Sequence, residues 1–421
     1  MTNTNNATKP QVTIVGGGMI TQIQLLPTVY QMQREGVVGE IHICALDTPP
    51  LKAIQDDKSL QQAFPGQSFV AHPDPATAKA DGKFPNMFRD VLAKAPKGGI
   101  CVIALPDQLH YSALKAAIEF DQHVCVVKPL VLKHTQAVEI ETQAFEKGLV
   151  VGVEYHKRFD YRNLMARKAY RAGKLGEFRL AQAQMIEPYY YRDSNFQNWC
   201  TCENSDMFTY VGCHYVDIVA FITGLKPQSV SVYGIEDKYP NGKPGYLWTD
   251  GRVIWENGAS LSVVDAMGYP NEAAGGNAQG MTMWNQGSKD ATLLVHSDQY
   301  RGVKTHYEFK GNDPGDTLYA EPNPDYFQMI DQGGEGLVPI GYGHRSAEYI
   351  IKQGCRAREM DSLETRQSFL RQLDADGIMA TPANSNYNEL VVEAGRLSIL
   401  NGGREVEINY DDNTVDFKKY K

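Results

Sequence analysis

The sequence predicts an α/β chain in two parts: a doubly wound parallel sheet, then an α+β domain built on a large, mostly antiparallel open sheet. Three observations lead there. Up to residue 154, short apolar strands alternate with amphipathic helices. The first of those strands runs straight into a glycine turn. From Tyr155 onward the pattern changes to longer alternating strands. At 421 residues the chain has room for two or three cores. The expected division is a polar tail over 1–10, a doubly wound domain over 11–154, and an α+β domain over 155–421.

In order along the first domain, "QVTIVGGGMITQ" is a strand, a glycine turn and a helix start. Gly16, Gly18 and Thr21 occupy the three positions of G-x-G-x-x-[G/A], with Met19 and Ile20 opening the helix. The first glycine permits the tight turn, and the second lets backbone approach a pyrophosphate. The third position needs a small residue. This is the Rossmann arrangement, with the diphosphate expected at the helix N-terminus. "EIHICALD" is a second strand ending in Asp47, placed to accept hydrogen bonds from the adenosine ribose. An acid there repels a 2′-phosphate, and Thr48, Pro49 and Pro50 bring no arginine, so NAD is expected rather than NADP.

"GICVIALPDQLHYSALKAAIEF" gives a strand broken at Leu105-Pro106, then a helix carrying His110. "HVCVVKPLVL" is a buried strand that ends in Lys128 followed by Pro129. A buried strand has no use for an ammonium group, and proline ends its ladder, so Lys128 is presented at a strand end. "LVVGVEYHKRFD" closes the series with His156 and Lys157. Ligands on such sheets bind beyond the carboxyl ends of the strands, where these groups collect.

In the second part, "FRLAQAQMI", "SVSVYGI", "GRVIWENGASLSVV", "DATLLVHSD" and "KTHYEF" read as strands, with Asn257-Gly258 as a hairpin turn. "MFTYVGCHYVDIVAFITG" reads as an apolar helix stopped at Gly224. Tyr210, His214 and Asp217 share one face of it. By itself His214 reads equally as a core histidine. The "IEPYYYRDSNFQNW" stretch offers Tyr191 and Trp199 for stacking on a sugar, or for packing at a subunit interface. Arg192 and Lys157 leave room for an anionic sugar. The segment 338–384 is polar and helix-prone, expected as surface helix, with His344 and Arg345 as further groups able to reach substrate. "ELVVEAGRLSIL" is a final amphipathic helix packing back on the core.

The pieces "GGGMIT", "ALPDQLH", "VVKPL", "VEYHKRFD", "GCHYVDIV", "WENGASLSV" and "EAGRLSILNGGREVEI", in that order, resemble the glucose–fructose oxidoreductase / inositol dehydrogenase (Gfo/Idh/MocA) family over nearly the whole chain. The resemblance implies that Lys128 lies beside the nicotinamide and bonds the hydroxyl that is oxidised, within a lysine–proline peptide that is often cis. It implies that His156 and Lys157 face substrate, that His214 is the family histidine, and that the open sheet face builds a dimer or tetramer. The glutamate usual before the lysine is Val127 here, and the aspartate usual four residues before the histidine is Tyr210. The usual proton relay is therefore altered.

These readings make Lys128, His214 and Tyr210 the candidate catalytic residues. Gly16, Gly18, Met19, Ile20, Asp47, Leu105, Pro106, His110 and Lys128 are candidates for holding NAD. His156, Lys157, Tyr191, Trp199 and Asp217 are candidates for substrate, although Asp217 reads more readily as a structural partner within the helix bundle. Either Lys128 or His214 can serve as base. The activity expected is hydride removal from a secondary hydroxyl of a sugar, polyol or glycoside. The alternative is a glycoside-cleaving enzyme that oxidises, eliminates, hydrates and re-reduces with its cofactor retained.

The chain carries 41 Lys plus Arg against 50 Asp plus Glu, net −9, which argues against a nucleic-acid partner. It has no run of apolar residues long enough for a membrane span and no secretory leader, so the expected compartment is cytoplasmic. Seven cysteines, an odd number, read as reduced thiols. Cys200, Cys202, Cys213 and His214 match no familiar zinc spacing, so no metal is expected.

Overall fold

Six short strands, β1 (Val12–Val15), β2 (Ile41–Cys44), β3 (Val70–His72), β4 (Ile100–Ile103), β5 (His123–Val127) and β6 (Val151–Glu154), form one sheet in the order β3-β2-β1-β4-β5-β6. Every pair in it is parallel. The computed structural model describes residues 9–79, 81–273, 276–298 and 325–419. Strands β1, β4 and β6 are buried at every position, which is why they read as continuous apolar runs rather than alternating ones. Strand order reverses at β1 and β4, so their carboxyl ends open a crevice.

The second sheet holds β7 (Glu177–Pro188), β8 (Pro227–Lys238), β9 (Pro244–Trp255), β10 (Ser260–Tyr269), β11 (Ala278–Gln286) and β12 (Ala291–Ser297). After a ribbon of β13 (Gln328–Ile330) and β14 (Val338–Ile340), β15 (Val406–Asn409) and β16 (Thr414–Phe417) extend it. The order is β12-β11-β7-β10-β9-β8-β15-β16, antiparallel except for β7 beside β10. The expected turn joins β9 to β10. Only Gly258 takes a positive φ (+80°), and Asn257 Oδ1 accepts from the Ala259 amide at 3.1 Å. The stretch 304–309, expected as a further strand, and residues 1–8 of the polar tail lie outside the described residues.

One face of this sheet is covered by the helix Cys213–Thr223 and by the C-terminal helix Tyr387–Ile399, which share its core. Trp255, Tyr215, Leu261 and Val263 are fully buried there, and each such side chain contributes roughly 1.5–3 kcal/mol. The other face leaves Leu180, Trp284, Leu293, Val295 and Val264 exposed. Leu180 pairs with Trp284, and Trp284 with Leu293, so the apolar patch is continuous across three strands.

The segment 338–384 departs from its expected role as surface helix. The helix Tyr342–Arg358 lies on the parallel sheet, with Ala347, Ile350, Ile351 and Ala357 at 0–1% exposure. These recur at helical spacing on an otherwise charged helix. Gly354 lets it sit close: a Cβ there would lie 2.8 Å from Ile100 Cδ1. Ala380 then bridges to Val153 of β6, with Val153 N donating to Ala380 O at 2.9 Å. The nucleotide-binding body is thus completed by residues late in the chain.

Candidate active site

The glycine turn follows from backbone geometry. Gly16 has φ +116°, and a Cβ on it would lie 2.0 Å from Ala104 O. Around Gly18 the same test meets nothing within 4 Å, leaving its backbone open to a ligand. Thr21, fully buried, donates its hydroxyl to Gly16 O at 2.7 Å, so the third position fastens the turn instead of merely fitting it. Met19, 38% exposed, and the half-buried Ile20 begin the helix. These residues fit the diphosphate of a dinucleotide: a helix N-terminus, whose first amides have no helical partner, behind backbone left open at Gly18. Gly16→Ala is expected to abolish dinucleotide binding, measured by titration with NADH, because both the left-handed φ and the Ala104 contact forbid a methyl group.

Asp47 lies three residues beyond β2, at the N-cap of the helix Thr48–Asp56, and pairs with Lys83 Nζ at the solvent edge. Leu105 and Pro106 follow β4 as expected, but His110 does not face a cofactor. It is fully buried, with Nδ1 2.7 Å from Pro129 O and Nε2 2.9 Å from Leu105 O. Its ring braces the two strand-end loops against each other, and its assignment as a cofactor ligand is corrected to that role.

Lys128 stands at the end of β5, and its peptide bond to Pro129 is cis. Its ammonium bonds the Tyr210 carbonyl and lies 4.0 Å from the centroid of the Tyr210 ring. Tyr210 sits in a π-helical turn, Phe208–Gly212, that leads into the helix bearing His214. Around it, Phe196 is 4.9 Å and Trp199 5.7 Å away, centroid to centroid, and Tyr191 stacks on Phe196 at 5.3 Å. Tyr191, Trp199 and Tyr210 therefore form one aromatic wall beside Lys128.

His214 is 2% exposed, and its Nδ1 has no hydrogen-bond partner. Its ring lies 4.6 Å from His156. Burial, then the charges of His156, Lys128 and Lys157, hold it well below the usual imidazole range, so it is neutral. His156 turns Nδ1 to Glu154 Oε2 at 3.2 Å. Glu154, closing β6, also takes Gln24 Nε2 at 2.9 Å and the Ser346 hydroxyl.

Two expected substrate contacts are consumed elsewhere. Asp217, fully buried, accepts from Arg158 Nε at 2.8 Å and a second guanidinium nitrogen at 2.6 Å, from Tyr387 at 3.0 Å and from Asn388 at 2.9 Å. It is a structural anchor, because the turn His156–Phe159 and the C-terminal helix both tie to it. Lys157 is 1% exposed; it bonds Asp298 and donates to Gln279 at 2.8 Å. Arg192 bonds Asp237 and Met267 O, which leaves its Nη2 buried without a partner. His344 meets Thr28 at 3.2 Å, and Arg345 meets Phe159 O at 3.2 Å. Among the described residues, the one group of metal-type ligands is Asp160, His296 and Asp298. Lys157 and Arg162 already supply its positive charge.

Sequence reasoning passed over Glu187. It ends β7 at 6% exposure, on the inward face with Ala181, Ala183 and Met185. Burial pushes its carboxyl up to about 7, against the pull of Lys128 and Lys157. The signal was present: alternation carries an acid onto an apolar face where the strand ends.

Residues 11–155 match the model of an oxidoreductase family with an NAD-binding Rossmann fold. This is a Gfo/Idh/MocA domain. Beyond that Gfo/Idh/MocA stretch, the likeness to known proteins is one of fold. The scyllo-inositol dehydrogenase of Lactobacillus casei superposes with a TM-score of 0.61 at 15% identity, covering 95% of this chain and 98% of its own. GenD2 of gentamicin A biosynthesis, solved with NAD, gives 0.63 at 15% identity, covering 97% and 99%. In sequence, scyllo-inositol 2-dehydrogenase (NADP(+)) IolW of Bacillus subtilis is 25% identical over 33% of this chain and 38% of its own. The matched stretches span less than half the length of such curated relatives. Among the described residues, no helix is long and apolar enough to cross a membrane.

Proposed function

We propose that the chain is an NAD-dependent oxidoreductase that removes hydride from a secondary hydroxyl of a neutral sugar, polyol or glycoside. The observation that carries this is the meeting of Lys128, from the nucleotide-binding domain, with Tyr210 on the turn that leads to His214 in the other. Bound NAD would accept the hydride. Gly16, Gly18, Met19, Ile20 and Asp47 would hold it. The chain's own residues orient the alcohol and manage its proton: Lys128 donates to the developing alkoxide, and Tyr191, Trp199 and Tyr210 offer apolar surface to the C–H face of a ring. The pairing of the buried Lys157 with Asp298 favours an uncharged substrate.

A neutral His214 held far below the usual range is a weak base. Glu187, brought to about 7, is better matched to accept a proton near neutrality. Its ionised form predominates only above that pH, so turnover is expected to rise with pH through about 7. Glu187→Gln is expected to lower turnover by about 10²–10⁴-fold and to erase that acid limb; a limb of unchanged position in the variant would exclude Glu187. A carboxyl that exchanges its proton near neutrality also suits elimination and hydration, which supports the glycoside-cleaving alternative. A panel of inositols, hexoses and aryl glycosides, scored for NADH and for free aglycone, separates the two: net NADH supports oxidation, and aglycone without NADH supports cleavage. The open face bearing Leu180, Trp284, Leu293 and Val295 is where two or more copies would join, consistent with a homo-oligomer.

A further inference from the structure

We propose that Lys83 allows the ribose end of the dinucleotide site to accept a 2′-phosphate, so that the chain binds NADP as well as NAD. The inference rests on the glycine turn being a dinucleotide site, and it goes beyond the preference that Asp47 alone would impose. The segment carrying Asp47 abuts that turn: a Cβ on Gly17 would lie 3.3 Å from Pro50 Cβ and 3.4 Å from Ala45 Cβ.

Asp47 stands at the N-cap of the helix Thr48–Asp56, yet its side chain makes no capping bond. The sequence explains why. An N-cap carboxylate takes its hydrogen bond from the second or third helical amide. Those two positions are Pro49 and Pro50, which have no N–H to give. The carboxylate is therefore released from its own helix, and the partner it finds is Lys83.

Lys83 is delivered there by main chain. The amide of the next residue, Phe84, donates to Leu46 O at 2.7 Å, which pins the two loops together beside the pair. The lysine side chain is 61% exposed against 21% for Asp47, so the ammonium faces outward at the solvent edge. An ammonium has three hydrogens, and Asp47 occupies one. An acid alone at this place accepts from ribose hydroxyls and repels a phosphate. With Lys83 against it the local charge cancels. One carboxylate oxygen remains for a 2′-hydroxyl, while the ammonium is a point-charge donor for a 2′-phosphate.

The test is equilibrium titration of the full chain with NADH and with NADPH, followed by quenching of its tryptophan fluorescence. The wild-type chain is expected to bind NADPH within about tenfold of NADH. Lys83→Ala is expected to weaken NADPH by about 10–100-fold, the loss of one charge-assisted hydrogen bond, while NADH changes by less than about threefold. Lys83 is exposed, so a thermal melt of the variant should match the parent. Rejection of NADPH by the wild-type chain, or equal weakening of both nucleotides in the variant, would overturn the proposal. Binding of neither nucleotide would remove the dinucleotide reading itself and this inference with it.

Discussion

Lys128→Ala is expected to lower turnover by about 10²–10⁴-fold while leaving NADH affinity nearly unchanged. Lys128 follows a strand, His123–Val127, whose positions are buried or half-buried. Among the described residues its ammonium bonds the Tyr210 carbonyl, lies over the Tyr210 ring and forms no ion pair, so truncation breaks no salt bridge and removes a positive charge that acts on Glu187. What is lost is the donor facing the crevice. Stopped-flow measurement of hydride transfer on a responsive substrate, with parallel titration of NADH, reads both quantities. His214→Ala is expected to behave similarly, because the ring lies 4.6 Å from His156 with an unpartnered Nδ1. Near-parental rates in both variants would place the chemistry elsewhere.

Asp217→Ala is expected to destabilise the fold by about 3–5 kcal/mol, the cost of leaving one member of a buried ion pair alone. Arg158 is 3% exposed and gives Asp217 two hydrogen bonds, at 2.8 and 2.6 Å. Without the carboxylate, its guanidinium would be held among Tyr155, Phe221 and Tyr387 with no counter-charge. Tyr387 and Asn388 would also lose their acceptor, loosening the C-terminal helix from the helix Cys213–Thr223. Urea denaturation of parent and variant gives the difference; a loss below about 1 kcal/mol would show that Arg158 finds another partner.

The contrast between these residues shows what the sequence made legible. The parallel sheet was readable because strand and helix periods alternate in blocks long enough to count, and the glycine turn because its rule is local. Lys128 stood out by chemical misfit, a charge closing an apolar strand. The partners of Asp217 could not be named, because the helix Cys213–Thr223 is buried at every position but its last, so sharing a face with His214 said nothing of which neighbour each side chain meets. The Gln24–Glu154–Ser346 network joins residues 130 and 192 positions apart. Only the folded chain reveals such partners. His110 was correctly seen as a polar group near a strand end, but both its contacts are main-chain carbonyls, which carry no sequence signal. The helix Tyr342–Arg358 was misjudged because its average polarity hid a narrow apolar stripe.

That same helix governs when the protein can become itself. A ribosome releases the residues of the parallel sheet first, but one side of that sheet waits for Ile350, Ile351 and Met379 to emerge. Until most of the chain has been made, the nascent nucleotide site carries a bare oily flank, the kind of surface that recruits chaperones or sticks to its neighbours.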